Sequence, residues 1–108
     1  MDIIKANETA LNIDVQLLRK TELVLRAINH KLRQEILHLI HKEQNITVTD
    51  LYIRLRLDQS TTSQHLALLR RVGAVCTTRD GKNIYYSVDY DRINEIVSLT
   101  DNISSAFE

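Results

Sequence analysis

The chain is poor in residues that break helices or cross-link chains. Its 108 residues include no proline or tryptophan, one cysteine, Cys76, and two glycines, Gly73 and Gly81. A proline-free sequence rich in leucine and isoleucine is typical of helices joined by short connections. One cysteine cannot form a disulfide framework within the chain, and we expect Cys76 to be a buried, inert thiol.

Long apolar runs are also missing. The uninterrupted apolar segments are only a few residues long, so the sequence predicts no membrane-spanning helix. Residues 1–5 lack the basic stretch and following apolar stretch of a secretory signal. Apolar residues make up 44% of the chain, as in an ordinary folded domain. We therefore expect a cytoplasmic protein whose residues 1–108 form a single domain.

Net charge is also absent, because 14 basic residues balance 14 acidic ones. The charges are nevertheless unevenly distributed. Residues 51–82 carry six basic and two acidic side chains, whereas residues 83–108 carry one basic and five acidic. This polarity is compatible with nucleic-acid binding by the basic third, and equally with an ordinary solvated surface.

Apolar residues at helical spacing predict two helices in the first half of the chain. One stripe runs over residues 14–28 and a second over residues 32–40, with His30 at the junction. Asn45 marks the break after the second stripe. Residues 1–12 show little periodicity, and we expect them to form a flexible or partner-dependent lead.

A short third helix is predicted next. Its expected N-cap is Thr47 or Thr49, since a threonine hydroxyl can accept a hydrogen bond from a free amide of the first turn. Its buried side is expected to comprise Val48, Leu51, Tyr52 and Leu55.

The fourth predicted helix begins after another turn. Thr61 and Gln64 match a capping box, and Ser60 is a competing cap. The helix is expected to pack through Leu66 and Leu69 and to stop near Gly73, a natural left-handed terminator.

The periodicity then changes to that of strands. Residues 75–79 and 83–88 are rich in β-branched and aromatic residues, and Asp80-Gly81 between them is a strong hairpin signal. A last amphipathic helix is predicted over residues 89–103. The order α-α-α-α-β-β-α predicts a mainly α fold with a small β-hairpin wing, the winged helix-turn-helix.

Small polar side chains dominate the start of the fourth predicted helix. They are Gln59, Ser60, Thr61, Ser63, Gln64 and His65. Hydroxyl and amide groups at a helix start can enter the major groove and bond base edges, and the free amides favour a phosphate. An ordinary capped surface helix has a similar composition, so this feature alone leaves both interpretations open.

Cationic side chains accompany this segment. Arg70 and Arg71 follow it along the helix, while Arg79, Lys82 and Asn83 lie at or beside the hairpin tip. Such groups beside a groove-reading helix can contact phosphates or the minor groove. A lone Asp-Gly-Lys turn is more often a solubilising turn, so it is the combination with the polar helix that favours DNA.

Two motifs make the comparison with a known family specific. The first is Gln59-Ser60-x-x-Ser63-x-His65-Leu66 followed by Leu69-Arg70-x-x-Gly73, and the second is Arg79-x-Gly81 followed by Tyr85-Tyr86-x-Val88. Over residues 20–98 the sequence resembles the ArsR/SmtB family of winged-helix repressors. His30 stands where that family usually has proline.

The resemblance implies a sequence-specific regulator of transcription that binds double-stranded DNA. It implies a homodimer whose recognition helices enter successive major grooves of a partially palindromic operator. The predicted helices over residues 14–28 and 89–103 would pair with their counterparts. The expected interface residues are Leu17, Leu18, Leu25, Ile93, Ile96 and Val97, and some of these must also serve the core of the chain.

The usual metal sites of the family are not matched. Thr47 and Thr49 stand in place of a pair of thiolates, and hydroxyls are poor ligands for soft or borderline metals. Tyr90 and Arg92 fall where another family site has an acid and an imidazole. We therefore predict no cofactor, and a repressor that an unidentified signal releases from DNA.

A histidine pair is the one remaining metal candidate. His38 and His41 lie three residues apart on one predicted helix, with Glu35 on the same side, but no fourth ligand suggests itself. Ordinary surface histidines are the simpler interpretation.

Two other function classes are disfavoured. A winged helix that serves as a protein-interaction module usually loses its polar groove-reading surface, which this sequence retains. An enzyme would need a nucleophile with an adjacent base, paired carboxylates or a phosphate-cradling glycine loop, and we find none of these.

Overall fold

The computed structural model describes residues 12–105. In chain order the elements are α1 (Val15–Ile28), α2 (Lys31–Glu43), β1 (Ile46–Thr47), α3 (Val48–Leu55), α4 (Gln59–Arg71), β2 (Val75–Asp80), β3 (Asn83–Val88) and α5 (Tyr90–Ser105). The predicted winged helix-turn-helix is confirmed. The flexible lead predicted for residues 1–12 falls, apart from its last residue, outside the described part of the chain. Over residues 12–105, no helix is both long and apolar enough to cross a membrane.

The wing is a three-stranded antiparallel sheet with the order β1-β3-β2. Strands β2 and β3 form the predicted hairpin, in which Val75 pairs with Val88 and Asp80 pairs with Asn83. Gly81 forms the turn at φ +63°, in the left-handed region that glycine adopts without steric cost. Strand β1 was not predicted, because it is only two residues long and its sequence reads as the end of a loop.

The core lies between α2, α3, α4 and the sheet. Its largest fully buried apolar side chains are Ile36, Ile40, Leu51, Leu66 and Leu69. The four-residue spacing of the isoleucines and the three-residue spacing of two of the leucines place each pair on one helix face. Burying each of these side chains stabilises the fold by roughly 1.5–3 kcal/mol relative to leaving it exposed.

Side chains preceding the first three helices cap them. Asp14 accepts from the amide of the third residue of α1 at 3.0 Å. His30 Nδ1 lies 3.5 Å from the amide of Arg33 at the start of α2, so this histidine does belong to the helix junction. Thr47, one of the two predicted caps, accepts from the amide of Asp50 at 3.3 Å and thereby begins α3.

The predicted cap of α4 is wrong. Asp58 is the N-cap, with Oδ2 accepting from the Thr61 amide at 2.8 Å, so Ser60, Thr61 and Gln64 already belong to the helix. The backbone at Asp58 is extended, with φ −79° and ψ 155°, as an N-cap requires. Asp58 lies three positions before the predicted cap Thr61, so α4 begins earlier than the proposed capping box of Thr61 and Gln64 implies.

Gly73 links α4 to the sheet and brings α5 close, and it adopts the predicted left-handed conformation with φ +83°. A Cβ at this position would lie 3.3 Å from Cγ of Arg92, so another residue would need both this left-handed backbone and a small shift of the Arg92 side chain. Arg92 Nε also donates to the carbonyl of Val72 at 3.0 Å. The start of α5 is thereby fixed to the end of α4.

Candidate nucleic-acid interface

A tight turn separates α3 from α4. Arg56 ends α3 in the left-handed conformation with φ 55°, and the amide of Leu57 donates to the carbonyl of Tyr52 at 2.9 Å. Asp58, two residues after Arg56, is the N-cap of α4. Two short helices joined in this way form a helix-turn-helix, and the second helix is the one that presents side chains to a groove.

One face of α4 is fixed in the core. Thr62, Leu66 and Leu69 are fully buried, and the Thr62 hydroxyl donates to the carbonyl of Asp58 at 3.0 Å. The sequence did not identify Thr62 as a buried residue. Because the Thr62 hydroxyl bonds to a carbonyl of the preceding turn, burying it costs little free energy. No sequence pattern distinguishes such a buried threonine from an exposed one.

The opposite face of α4 carries most of the predicted DNA-contacting residues. The exposed ones are Gln59, Ser60, Ser63, Gln64 and Arg70. Thr61 is half-buried beside the cap. The helix therefore offers a strip of hydroxyl and amide groups, and its first turn carries no basic side chain.

His65 is only partly available to a ligand. Its side chain is half-buried, its Nδ1 accepts from Arg33 Nε at 3.1 Å, and its ring lies 5.1 Å from that of His30. Because Nδ1 is an acceptor, the neutral imidazole carries its proton on Nε2, the one ring nitrogen left for another partner. Burial lowers the pKa of His65 from its ordinary value of 6.5, and the adjacent charges of Arg33 and His30 lower it further.

Arg33 connects three helices, which the sequence did not reveal. Besides its bond to His65 in α4, its Nη1 donates to the carbonyl of Ala27 in α1 at 3.2 Å. Ala27 is buried, so this carbonyl belongs to the packed end of α1. His65 lies 32 residues beyond Arg33 in the sequence, and no local pattern indicates that their side chains meet.

The wing carries its predicted cations on the surface. Arg79, Lys82 and Asn83 are exposed around the turn at Gly81. Within residues 12–105, ion pairs join Arg26 to Glu22, Arg54 to Glu43 and Arg92 to Glu95. Neither wing cation nor Arg70 takes part in an ion pair with a described side chain, so their charges face solvent.

Cys76 is exposed, and the prediction of a buried thiol is wrong. Side chains along a strand alternate between faces, and since Val75 faces the core, Cys76 points outward. Its Sγ lies 3.2 Å from the hydroxyl oxygen of Ser87 on the paired strand.

The two histidines of the metal candidate, His38 and His41, are both exposed on α2. His41 Nδ1 lies 2.7 Å from the hydroxyl oxygen of Tyr90. Among the described residues there is no cluster of three or more histidine, cysteine, aspartate or glutamate side chains able to hold a metal. Thr47, at the position of a family thiolate, is engaged as a helix cap.

The predicted interface residues divide by exposure. Leu17, Leu18 and Val97 are 59%, 60% and 49% exposed, which is high for large apolar side chains. Leu25 and Ile93 are half-buried, and Ile96 is already buried within the chain. Further exposed apolar residues continue along the same two helices at Leu23, Leu99 and Ile103.

Known proteins resemble this chain in sequence and in structure. A family model described as bacterial regulatory protein, arsR family, matches residues 30–76. The transcriptional repressor PagR of Bacillus anthracis is 35% identical over 81 residues, which cover 74% of this chain and 80% of that protein. The transcriptional activator HlyU of Vibrio cholerae is 32% identical, over 74% of this chain and 73% of its own length.

Solved structures agree with these matches. The crystal structure of PagR covers 81% of this chain and 99% of its own, with a TM-score of 0.64 at 30% identity. An ArsR-like transcriptional regulator from Rhodococcus sp. RHA1 has a TM-score of 0.73 over 86% of this chain and 87% of its own, and at 22% identity it supports the fold alone. The chain thus belongs to the ArsR family of bacterial regulatory proteins, and it is a DNA-binding transcriptional regulator rather than an enzyme.

Proposed function

We propose that this protein is a cytoplasmic, homodimeric repressor that binds a partially palindromic operator. In this proposal α4 of each subunit reads bases in the major groove, and each wing contacts the adjoining backbone. A signal that does not use the family's usual metal sites releases the repressor.

The observation that carries the proposal is the exposed face of α4. Its side chains are short, polar and mostly uncharged, and they project from a helix whose other face is held by three fully buried residues. The packing of α4 against the core matters because base readout needs side chains held to within a fraction of an ångström. Gln64 is suited to bidentate bonding with adenine, and Ser63 can donate to or accept from several base edges.

The wing supplies the sequence-independent part of the proposed binding. Arg79 and Lys82 have no competing carboxylate among the described side chains, so each can neutralise a phosphate. Each neutralised phosphate releases condensed counterions, which makes binding strongly dependent on salt.

A dimer is supported by the apolar residues of α1 and α5. Leu17, Leu18 and Val97 leave much of their surface in water, and a second copy would bury it. Twofold symmetry would also present two recognition helices to half-sites about one helical turn apart. Repression is inferred from the similarity to PagR, whose name describes a repressor; HlyU is named an activator.

Selection of DNA from a random pool by the purified protein tests recognition. We expect enriched sequences with twofold symmetry and a half-site spacing of about 10 base pairs. Enrichment of sequences without twofold symmetry would contradict the dimeric mode of binding. A pool with no enrichment would contradict sequence-specific binding itself.

The salt dependence of affinity for the selected sequence tests the wing. Lys82→Ala should reduce the slope of log affinity against log salt by about one, because one phosphate contact is lost. Lys42→Ala is the matched control: this exposed lysine lies at the end of α2, and its loss should leave the slope unchanged. Equal slopes in all three proteins would rule out the contact at Lys82.

Sedimentation of the free protein tests the dimer. Val97→Glu places a charge on the proposed interface, so the variant should sediment as a monomer. Ile53→Glu changes a residue of α3 that is 60% exposed, and it should remain dimeric. A wild-type protein that is monomeric at micromolar concentration would contradict the proposed assembly.

A further inference from the structure

A cleft lies where the end of α1, α2, the end of β3 and the start of α5 meet. Its volume is about 240 Å³. Four half-buried aliphatic side chains form its walls: Ile28, Leu37, Val88 and Ile93. Apolar walls of this kind favour an apolar occupant over water.

One border of the cleft is polar. His41 and Tyr90 contribute a hydrogen-bonded pair, with 2.7 Å between Nδ1 and the hydroxyl oxygen, and Gln44 Nε2 donates to the same oxygen at 3.4 Å. In the tautomer whose Nδ1 accepts, the Tyr90 hydroxyl donates to His41 and accepts from Gln44, and a second lone pair on its oxygen stays available to a ligand. The pair also joins α2 to α5 at this border of the cleft.

The lining restricts the chemistry of an occupant. No lysine, arginine, aspartate or glutamate is among the described residues that line the cleft. A charged ligand would lose hydration there without gaining an opposite charge, which is costly. The volume of the cleft also limits the size of an occupant. An engineered protein cavity of about 150 Å³ binds benzene, so a cleft of about 240 Å³ can hold a ring with a small substituent.

From these observations we propose that the cleft binds a small, uncharged molecule the size of one substituted aromatic ring. Its apolar body lies against Ile28, Leu37, Val88 and Ile93, and a single hydroxyl donates to Tyr90. Binding itself depends only on the cleft.

An effect of this molecule on DNA binding rests on the proposed function. The cleft touches α1 and α5, the two helices assigned to the dimer, and an occupant that separates their ends would change the relation between subunits. Such a molecule would therefore belong to the class of inducers.

Phenol and toluene are suitable probes, because each has seven heavy atoms and they differ by a hydroxyl in place of a methyl. Each would be titrated into the full-length ¹⁵N-labelled protein without DNA. We expect saturable shifts of amides around Leu37 and Ile93 with both probes. Tyr90→Phe should weaken phenol binding by about threefold to tenfold, the effect of one lost hydrogen bond, and leave toluene binding unchanged.

A filled cleft provides the second test. Leu37→Phe should abolish binding of both probes, whereas Ile53→Phe, which adds the same ring at an exposed position of α3 outside the cleft and the proposed interface, should not. If Leu37→Phe fails to fold, Ile93→Phe fills the cleft from α5.

Three results would overturn the site: no saturable shifts, shifts dispersed over the surface, or an equal loss of both probes in Tyr90→Phe. Operator affinity with and without phenol then tests the inducer role separately. Unchanged affinity would refute that role while the site stands, and absence of DNA binding would refute only the proposed function.

Discussion

Arg33 donates its Nε hydrogen to Nδ1 of His65 over 3.1 Å, joining α2 to the middle of α4. The same guanidinium holds the carbonyl of Ala27 at the end of α1. Protonated His65 could not accept this bond and would place a second positive charge beside Arg33. The neutral imidazole is thus the form that the fold requires.

This contact predicts a pH-dependent stability. The pKa of His65 is lowered in the folded state, so below the ordinary value of 6.5 the unfolded chain binds the proton more readily. The contribution of His65 is therefore complete above that pH and is lost as pH falls through it. We expect the excess unfolding free energy of wild type over His65→Gln to be larger at about pH 8 than at about pH 5.

Urea unfolding of both proteins at the two pH values provides the measurement. The other three histidines are present in both proteins, so the difference between the two reports on position 65. His30 and Arg33 are the ionisable groups facing His65, and they are common to both proteins. A difference that is the same at both pH values would show that His65 titrates normally.

The cap of α4 predicts effects of different size for two substitutions at Asp58. Asp58→Ala removes the acceptor for the Thr61 amide and should lower the melting temperature, whereas Asp58→Asn keeps an acceptor and should lower it less. The asparagine variant also loses a negative charge at the proposed DNA-facing end of the helix, so it should bind operator DNA more tightly. Thermal melts and binding titrations of the two variants separate these effects, and an equal loss of melting temperature would argue against the cap.

The exposed face of α4 predicts a loss of discrimination without a loss of stability. Ser63→Ala or Gln64→Ala should reduce the preference for operator over random DNA by about 1–3 kcal/mol where a base contact is lost. Neither residue is buried, so melting temperature and dimerisation should be nearly unchanged. Wild-type discrimination in either variant would mean that the substituted residue does not read bases. Ser60→Ala offers a comparison in the first turn of the same helix.

Zinc should not change operator affinity. A metal regulates only if it binds one conformation more tightly than another, which requires a suitable ligand set. His41 is hydrogen-bonded to Tyr90 through Nδ1. Among the described residues, no third metal-binding side chain joins His38 and His41 in a cluster. The measurement is operator affinity with stoichiometric zinc and with chelator, under reducing conditions. A tenfold loss with zinc that His38→Ala abolishes would establish a metal site.

The elements of the fold could be predicted because their signals are local. The spacing of Ile36 and Ile40, the Asp80-Gly81 hairpin signal and the terminator Gly73 each act over a few residues. The solvent-exposed strip of α4 was found for the same reason, since its polar residues alternate with Leu66 and Leu69 at helical spacing.

The errors arose where several local choices compete or where distant segments meet. Asp58, Ser60 and Thr61 are all good caps, and only the extended backbone at Asp58 decides between them. Strand β1 becomes visible only through its pairing with β3. The exposure of Cys76 depends on which face of β2 packs inward, and composition does not determine that.

Thr47 belongs to two parts of the molecule at once. It pairs with Tyr85 as the last residue of β1, and its hydroxyl opens α3. Rotation of the helix-turn-helix against the wing would therefore disturb both the pairing of β1 with β3 and the cap of α3, which couples the two parts of the chain. In the proposed dimer, a signal would therefore act on the distance and angle between the two subunits. Repression would end when the spacing of the two α4 helices no longer matches the spacing of the half-sites.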